Sequence, residues 1–297
     1  MIVAALAGCG GGDEGTPGPA ASEWRFATPM ANRRSYVASA ELGGRIYVAG
    51  GMVGDSGRHL DRVQAFDPRR GVWKTRRRLP DPVRAGEGAA LGGRFYVVGG
   101  TTPDGGGRQV YTYTPGRDEW QRRASLPAPR SNHAVVALGG KLWAIGGWHE
   151  RERAEVFVYD PAADRWSAGP SLPRPTHALG AVAFRGGLWV LGGRRGQQQL
   201  REVWILDPGS RRWRAGPTLP RPMELLGADV AGDQIHAVWE QTYQVWDASE
   251  RRWRQASPPQ VHRHALALFA LDGRLYAVGG CTTRLRDSAV VETRKLT

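Results

Sequence analysis

The chain has 297 residues with 41 Lys or Arg against 28 Asp or Glu, a formal charge of +13, yet its only lysines are Lys74, Lys141 and Lys295. A charge that is nearly all arginine, in a chain equally heavy in Ala and Gly, follows from GC-rich codon usage. No basic run with interleaved stacking aromatics is present either, so nucleic acid is not an expected partner. With 41 glycines, 20 prolines and a 41% hydrophobic fraction, the composition suits many short strands joined by tight turns and excludes a disordered chain and a coiled coil.

The first element in chain order is 1–21. Leu6-Ala7-Gly8-Cys9 resembles a bacterial lipobox, in which the signal peptide is removed and the cysteine becomes the lipid-bearing N-terminus. Met1 to Gly8 is apolar but short, and it lacks a basic n-region. Gly10 to Ala21 is rich in small residues, Gly and Pro, and reads as a flexible tether. Lipidation at Cys9 implies an extracytoplasmic lipoprotein held on the cell envelope, touching the membrane only through that lipid. Cys281 is then alone, and no intrachain disulfide is expected.

From 22 to 297 the sequence repeats. Trp24, Trp73, Trp120, Trp166, Trp213 and Trp253 stand 49, 47, 46, 47 and 40 residues apart, and self-similarity at this period decides the architecture. Each unit opens with small apolar residues suited to an innermost strand: Val37 to Leu42, Gly88 to Leu91, Ala134 to Leu138, Ala178 to Phe184, Leu226 to Val230 and Ala265 to Leu271. A two-residue turn such as Gly43-Gly44 or Asp272-Gly273 supplies the positive φ of a tight hairpin. An aromatic second strand closes on a glycine pair (Gly50-Gly51, Gly99-Gly100, Gly146-Gly147, Gly192-Gly193, Gly279-Gly280), and a third strand ends at Asp67-Pro68 or its counterparts. In five units the tryptophan lies six residues after that Asp or Thr, so a fourth strand carries it.

This grammar resembles the Kelch repeat, whose units are four-stranded blades of a β-propeller. The resemblance implies an all-β fold, a six-bladed propeller of four-stranded Kelch blades. The last unit runs out of chain before any tryptophan, and the surplus one is Trp24. Glu23-Trp24-Arg25-Phe26 is therefore expected to be the outer strand of the sixth blade, closing the ring against the C-terminal segment.

In a propeller the loops entering the first strands gather at one mouth, and function sits on such loops. Arginine recurs there with a companion three residues on: Arg33 with Tyr36, Arg84 with Glu87, Arg130 with His133, Arg174 with His177, Arg221 with Glu224, and Val261 with His264 in the sixth unit. The companions are expected to form a ring, and the arginines, with Arg34 and Arg263, to make the mouth cationic and suited to an acidic ligand. An arginine at a Kelch blade start also has a structural use, tying blades through backbone carbonyls. No cofactor is expected, and no metal, because a ring of this size holds its histidines apart.

The fifth unit replaces its glycine pair by Trp239-Glu240 and has the shortest second-to-third loop, Glu240 to Thr242. Glu224 and Glu240 are the weak catalytic candidates, a carboxylate pair for acid/base work on a sugar. The third unit instead carries an exposed loop of charges and aromatics from Trp148 to Arg153.

Two function classes follow. The first is a non-catalytic, monomeric propeller on the envelope binding a protein or glycan at its arginine-lined mouth, as Kelch propellers mostly do. The alternative is an enzyme acting on a sugar or acidic sugar, since a six-bladed Kelch ring in the envelope resembles the bacterial sialic acid mutarotases. Zinc spacing, phosphate loop and nucleophile elbow are absent from the sequence.

Overall fold

The computed structural model describes residues 23–54, 57–282 and 286–296. Cys9 and the tether lie outside the described residues. Six four-stranded antiparallel sheets form the blades of a propeller. Their innermost strands are Ala38–Glu41, Glu87–Leu91, Ala134–Leu138, Gly180–Phe184, Gly227–Ala231 and Ala267–Leu271. The outermost strands of blades one to five are Val72–Arg76, Glu119–Arg122, Arg165–Ala168, Arg212–Ala215 and Arg252–Ala256.

Blade six is built from both ends of the described chain. Its three C-terminal strands, Ala267–Leu271, Arg274–Val278 and Val291–Lys295, are joined by Trp24–Ala27. Trp24 stands opposite Arg294, and Ala27 opposite Val291. The displaced tryptophan is thus the missing outer strand, as its place in the sequence requires.

The core is six wedges, each packed between two neighbouring blades. Small residues face the axis and large ones fill the widening gaps outward, the taper a propeller needs. The wedge between blades six and one joins Phe269, Tyr276 and Val278 to Val37, Val48 and Phe66. Burial of apolar surface therefore runs unbroken around the ring.

Two sets of hydrogen bonds repeat with the blades. Every outer-strand tryptophan donates its indole N–H to a carbonyl four residues after the tryptophan of the preceding blade: Trp120 to Arg77, Trp166 to Ala124, Trp213 to Pro170 and Trp253 to Pro217, at 2.8–2.9 Å. Trp73 donates to Thr28 at 2.9 Å, and Trp24 to Ser257 at 2.8 Å, which completes the circle. The period of the sequence is the period of these staples.

The second set explains the glycine pairs. The N–H of the second glycine donates to the chain entering the next blade, from Gly51 to Val83, Gly100 to Arg130, Gly147 to Thr176, Gly193 to Met223 and Gly280 to Arg34. At the first glycine, Gly50, φ is +65, and an added Cβ would stand 2.4 Å from the Val83 carbonyl oxygen at the entrance of the next blade. A side chain there would both strain the backbone and push the blades apart.

Candidate functional site

The chain enters each inner strand through one residue held in the left-handed region: Tyr36, Ala85, Asn132, Ala178, Leu225 and Ala265, with φ between 45 and 55. Their backbones form a girdle. Ala85 N donates to Tyr36 O, Asn132 to Ala85, Ala178 to Asn132, Leu225 to Ala178 and Ala265 to Leu225, at 2.7–3.0 Å. This girdle sets the true register of the six mouths. It also starts the inner strands of blades four and six later than their apolar runs suggest, at Gly180 and Ala267, since Ala178 and Ala265 are bent out of the strand.

In that register the sequence candidates separate into levels. His177, Glu224 and His264 share the outer rim position with Ser35, Arg84 and Ser131, while Tyr36 belongs to the girdle. His133 lies one residue deeper, beside Val37, Gly86, Leu179, Leu226 and Leu266 of the other blades. Glu87 lies deeper again, where the other blades carry Ala38, Ala134, Gly180, Gly227 and Ala267. The expected single ring of companions does not form.

The arginines divide too. Arg34, Arg130 and Arg263 are 0%, 1% and 0% exposed and lie beneath the rim, not on it. Each spans from its blade entrance to two carbonyls of its own blade: Arg34 to Gly50 and Arg62, Arg130 to Gly146 and Glu155, Arg263 to Gly279 and Val290. A guanidinium satisfies two divergent carbonyls with one rigid fork, and so fits this place. Burial lowers all three to about 10, which leaves them charged at neutral pH. They belong to the scaffold and present no surface to a ligand.

What lies next to each buried guanidinium differs by blade. The second residue of the third strand is Gln64 in blade one, accepting from Arg34 at 2.6 Å, and Phe157 in blade three, whose ring centroid is 4.3 Å from the Arg130 guanidinium carbon. In blade six it is Glu292, which pairs with Arg263 at 2.7 Å with both side chains fully buried. Blade two lacks the arginine, and there Gln109 donates to the Gly99 and Gly100 carbonyls.

Arg84, Arg174 and Arg221 are the remaining arginine candidates. Arg84 reaches over blade one, its Nη1 3.8 Å from the Met52 sulfur. Arg174 is exposed, 4.0 Å from Glu202. Arg221 is exposed and held through its backbone by Gln244. They stand at different levels, so the sequence aligned residue types rather than positions.

Contacts link the rim from blade three to blade five, and a separate Glu240–His264 pair joins blades five and six. Short β-ribbons rise from blades three and four, Trp148–His149 with Arg151–Glu152 and Arg194–Arg195 with Gln198–Gln199. Trp148 is 40% exposed, and its ring lies against that of His177, tilted by 59° with the centroids 5.1 Å apart. Glu152 lies 3.8 Å from His177 and accepts from Gly196 N, tying the two ribbons together. Burial pulls His177 below its ordinary value, with Glu152 opposing. Next along the strip, Arg194 donates to both oxygens of Glu224 at 3.2 and 3.3 Å, with Gln199 adding a third bond. Trp148 and Glu152 belong to the charged and aromatic loop that the sequence singles out, whereas Arg194 lies in the variable loop after Gly192-Gly193, where no repeat pattern marks it.

Blade five has no such ribbon: Trp239 pairs directly with Thr242, leaving Glu240 and Gln241 as the turn. Glu240 occupies the second-glycine position at φ 48 and keeps the bond that glycine makes, donating its N–H to Arg263 O at 2.8 Å. Its carboxylate sits 3.5 Å from His264 Nδ1. Glu224 and Glu240, expected as a catalytic pair, thus each hold a different partner.

The fold and this geometry match known proteins. A family model described as the KLHDC2/KLHL20/DRC7 Kelch-repeats domain matches residues 23–171, just over half of the chain, and a Kelch motif model matches residues 175–220. The chain belongs to the Kelch-repeat family. Among curated proteins this Kelch chain is similar to the F-box protein AFR of Arabidopsis thaliana, 32% identical over 59 residues. That stretch spans 20% of this chain and 16% of the F-box protein. The solved structure described as "Structure of YjhT" superposes with a TM-score of 0.77 at 14% identity, covering 89% of this chain and 95% of that one. At that identity the likeness is one of fold.

His133 breaks the scaffold's own rule. In blades four to six the same place is leucine, and Leu179 packs there against Gly146 of the preceding blade. His133 is 1% exposed, its Cε1 packs against Gly99, and neither ring nitrogen has a partner among the described residues. Burial, helped by Arg130, holds it well below its ordinary value of 6.5. The unfolded chain takes up a proton below that pH while the folded chain does not, so stability is full above pH 6.5 and declines as the pH falls. Replacing His133 by leucine is expected to stabilise the fold by about 1–2 kcal/mol and to flatten this acid limb. Urea unfolding at neutral pH and near pH 5 checks both, and a less stable leucine variant would refute it.

Proposed function

We propose that this propeller is a binding scaffold that holds a partner polypeptide across the rim of blades three to six. The observation that carries the reading is the exposed Trp148 packed against His177 and continuous with the Arg194–Glu224 pair. An aromatic anchor flanked by ordered charges is the composition of an interface hot spot. The cavity beneath the girdle is about 170 Å³, smaller than the roughly 300–1,000 Å³ of pockets that enclose a whole small molecule. Contact on the rim therefore fits better than capture of a sugar in the channel.

Blade five supports the same reading. Glu240 keeps the glycine's backbone role and adds a carboxylate beside His264. Glu240→Gly therefore restores the family residue, leaves the scaffold bond in place and deletes only the rim charge. Trp148→Ala and Glu240→Gly are expected to weaken cross-linking of the partner from an envelope extract by about tenfold or more, with an unchanged melting curve. Full capture by both variants would exclude the rim. Display on the envelope through a lipid on Cys9 is part of the proposal, and a Cys9→Ala form that stays in the membrane fraction would remove that part.

A further inference from the structure

A cleft opens on the face opposite the rim, between blades four and five. Its floor is aromatic: Phe184 and Trp189 of blade four meet Trp246 of blade five, with the two indole-bearing rings 5.8 Å apart between centroids. The exposed Arg214 and Arg251 stand at its lip. Its volume is about 630 Å³, within the roughly 300–1,000 Å³ of pockets that take a small molecule.

The other blades show what the scaffold places here. The residue after the first turn is Arg45, Arg94, Lys141, Gln234 or Arg274 elsewhere, but Gly187 in blade four. Arg45 and Lys141 reach the acid that ends the third strand, Asp67 and Asp160. Gly187 offers no side chain to the equivalent Asp207, and that corner stays open. Blade three also has a tryptophan at the Trp189 position, and there Trp143 donates its N–H to Leu138 O at 3.2 Å. Trp189 and Trp246 are each 7% exposed, yet neither indole N–H has a hydrogen-bond partner among the described residues. Neither nitrogen is sealed off by protein, so both N–H groups keep contact with the cleft that their side chains line.

The place of Arg251 belongs to an acid in blades two and three. There Asp118 and Asp164 accept from the Arg77 and Ala124 amides of the preceding blade at 3.1 and 3.0 Å. The residue in that place before blade five is Pro217, which has no N–H to offer. Arg251 thus replaces an acid whose structural task is gone, and neither it nor Arg214 has an ion-pair partner among the described residues. The scaffold accounts for the aromatic bodies but not for four unused donors around one cleft.

We propose that this cleft is a receptor for a small aromatic carboxylate, its ring against the indole floor and its carboxylate held by Arg214 and Arg251. An indole N–H and a guanidinium donate and cannot accept, so the ligand has to bring the acceptors. A guanidinium fork takes a carboxylate through two parallel bonds, and the tilted indoles offer a flat ring both face and edge. Arg185, the third arginine of the lining, is already paired with Asp233 at 3.1 Å. Asp207 is the one acid of the lining, and its carboxylate accepts from the Gly209 amide of its own turn at 2.9 Å. The site goes beyond the rim reading, since it lies on the other face and needs no partner there.

The test is titration of the full chain with naphthoate against naphthamide, its uncharged isostere, followed by the indole N–H resonances of labelled protein. Wild type is expected to bind naphthoate saturably below about 1 mM and at least about tenfold tighter than naphthamide. The resonances that move should include the two that Trp189→Phe and Trp246→Phe delete. Arg214→Gln and Arg251→Gln alter exposed, unpaired side chains, so each should melt like wild type while losing about tenfold in affinity. A naphthyl phosphate that binds more tightly than naphthoate would overturn the carboxylate, and a Gly-Phe peptide with a free C-terminus that does so would overturn the small-molecule source. Absence of saturable binding by wild type, equal binding of the amide, or full binding by the double arginine variant would overturn the site itself. None of these results touches the rim residues, whose variants are read by partner capture.

Discussion

Replacing Trp24 by alanine is expected to lower the unfolding free energy by about 3–5 kcal/mol, the cost of emptying a fully buried tryptophan site. Trp24 is 0% exposed, whereas its five counterparts on the outer strands are half-buried. The difference has a local cause. Trp24 packs edge-on against Tyr243 with centroids 5.8 Å apart, its indole donates to Ser257, and its carbonyl accepts from Gln260. One substitution therefore empties the wedge between blades five and six and removes the staple that joins them. Trp120→Ala, with the same indole-to-carbonyl bond but less burial, should cost distinctly less. Urea unfolding of both variants reads the difference, and a Trp24→Ala protein as stable as Trp120→Ala would contradict the assignment of the seam.

Glu292→Ala should be comparably damaging. Glu292 and Arg263 are both fully buried, and Glu292 also accepts from the Gln260 and Val261 amides. Removing one partner of a buried pair leaves the other charge uncompensated, at a cost of about 3–5 kcal/mol. The same molecule shows why the charge itself is dispensable. Arg34 sits in an equivalent cage with the neutral Gln64 in place of the acid, and Arg130 lies against the Phe157 ring. Glu292→Gln is therefore expected to retain most of the stability that Glu292→Ala loses. If glutamine proves as damaging as alanine, the buried charge is required and the comparison between blades fails.

The sequence displays the scaffold because the scaffold is made of residue types that cannot be exchanged. A glycine that would drive a Cβ into a carbonyl, and a tryptophan whose N–H must reach the next blade, leave a mark in every unit. The mouth leaves none. Its register is set by six left-handed residues, none of them glycine, whose conformation comes from the hydrogen-bonded girdle and not from their identity. With no marker there, the recurring arginine becomes the natural anchor, and it misleads. Arg34, Arg130 and Arg263 share one level, but Arg84 sits one residue beyond it and Arg174 and Arg221 two residues before. Glu87 and His133 were visible as companions of those arginines, and the backbone register is what separates them from the rim and from each other.

Blade six also fixes an order of assembly. Blades one to five are each cut from an uninterrupted stretch of chain, so each meander forms from local contacts. The sixth joins Trp24–Ala27 to Val291–Lys295, and the staple from Trp24 to Ser257 bridges 233 positions. Long-range closure of this kind is entropically slow. Until Val291–Lys295 is in place, Trp24 has no strand to pair with, and the wedges on both sides of blade six stay open to water. The last few residues of the described chain thus act as a latch that turns five preassembled blades into a ring.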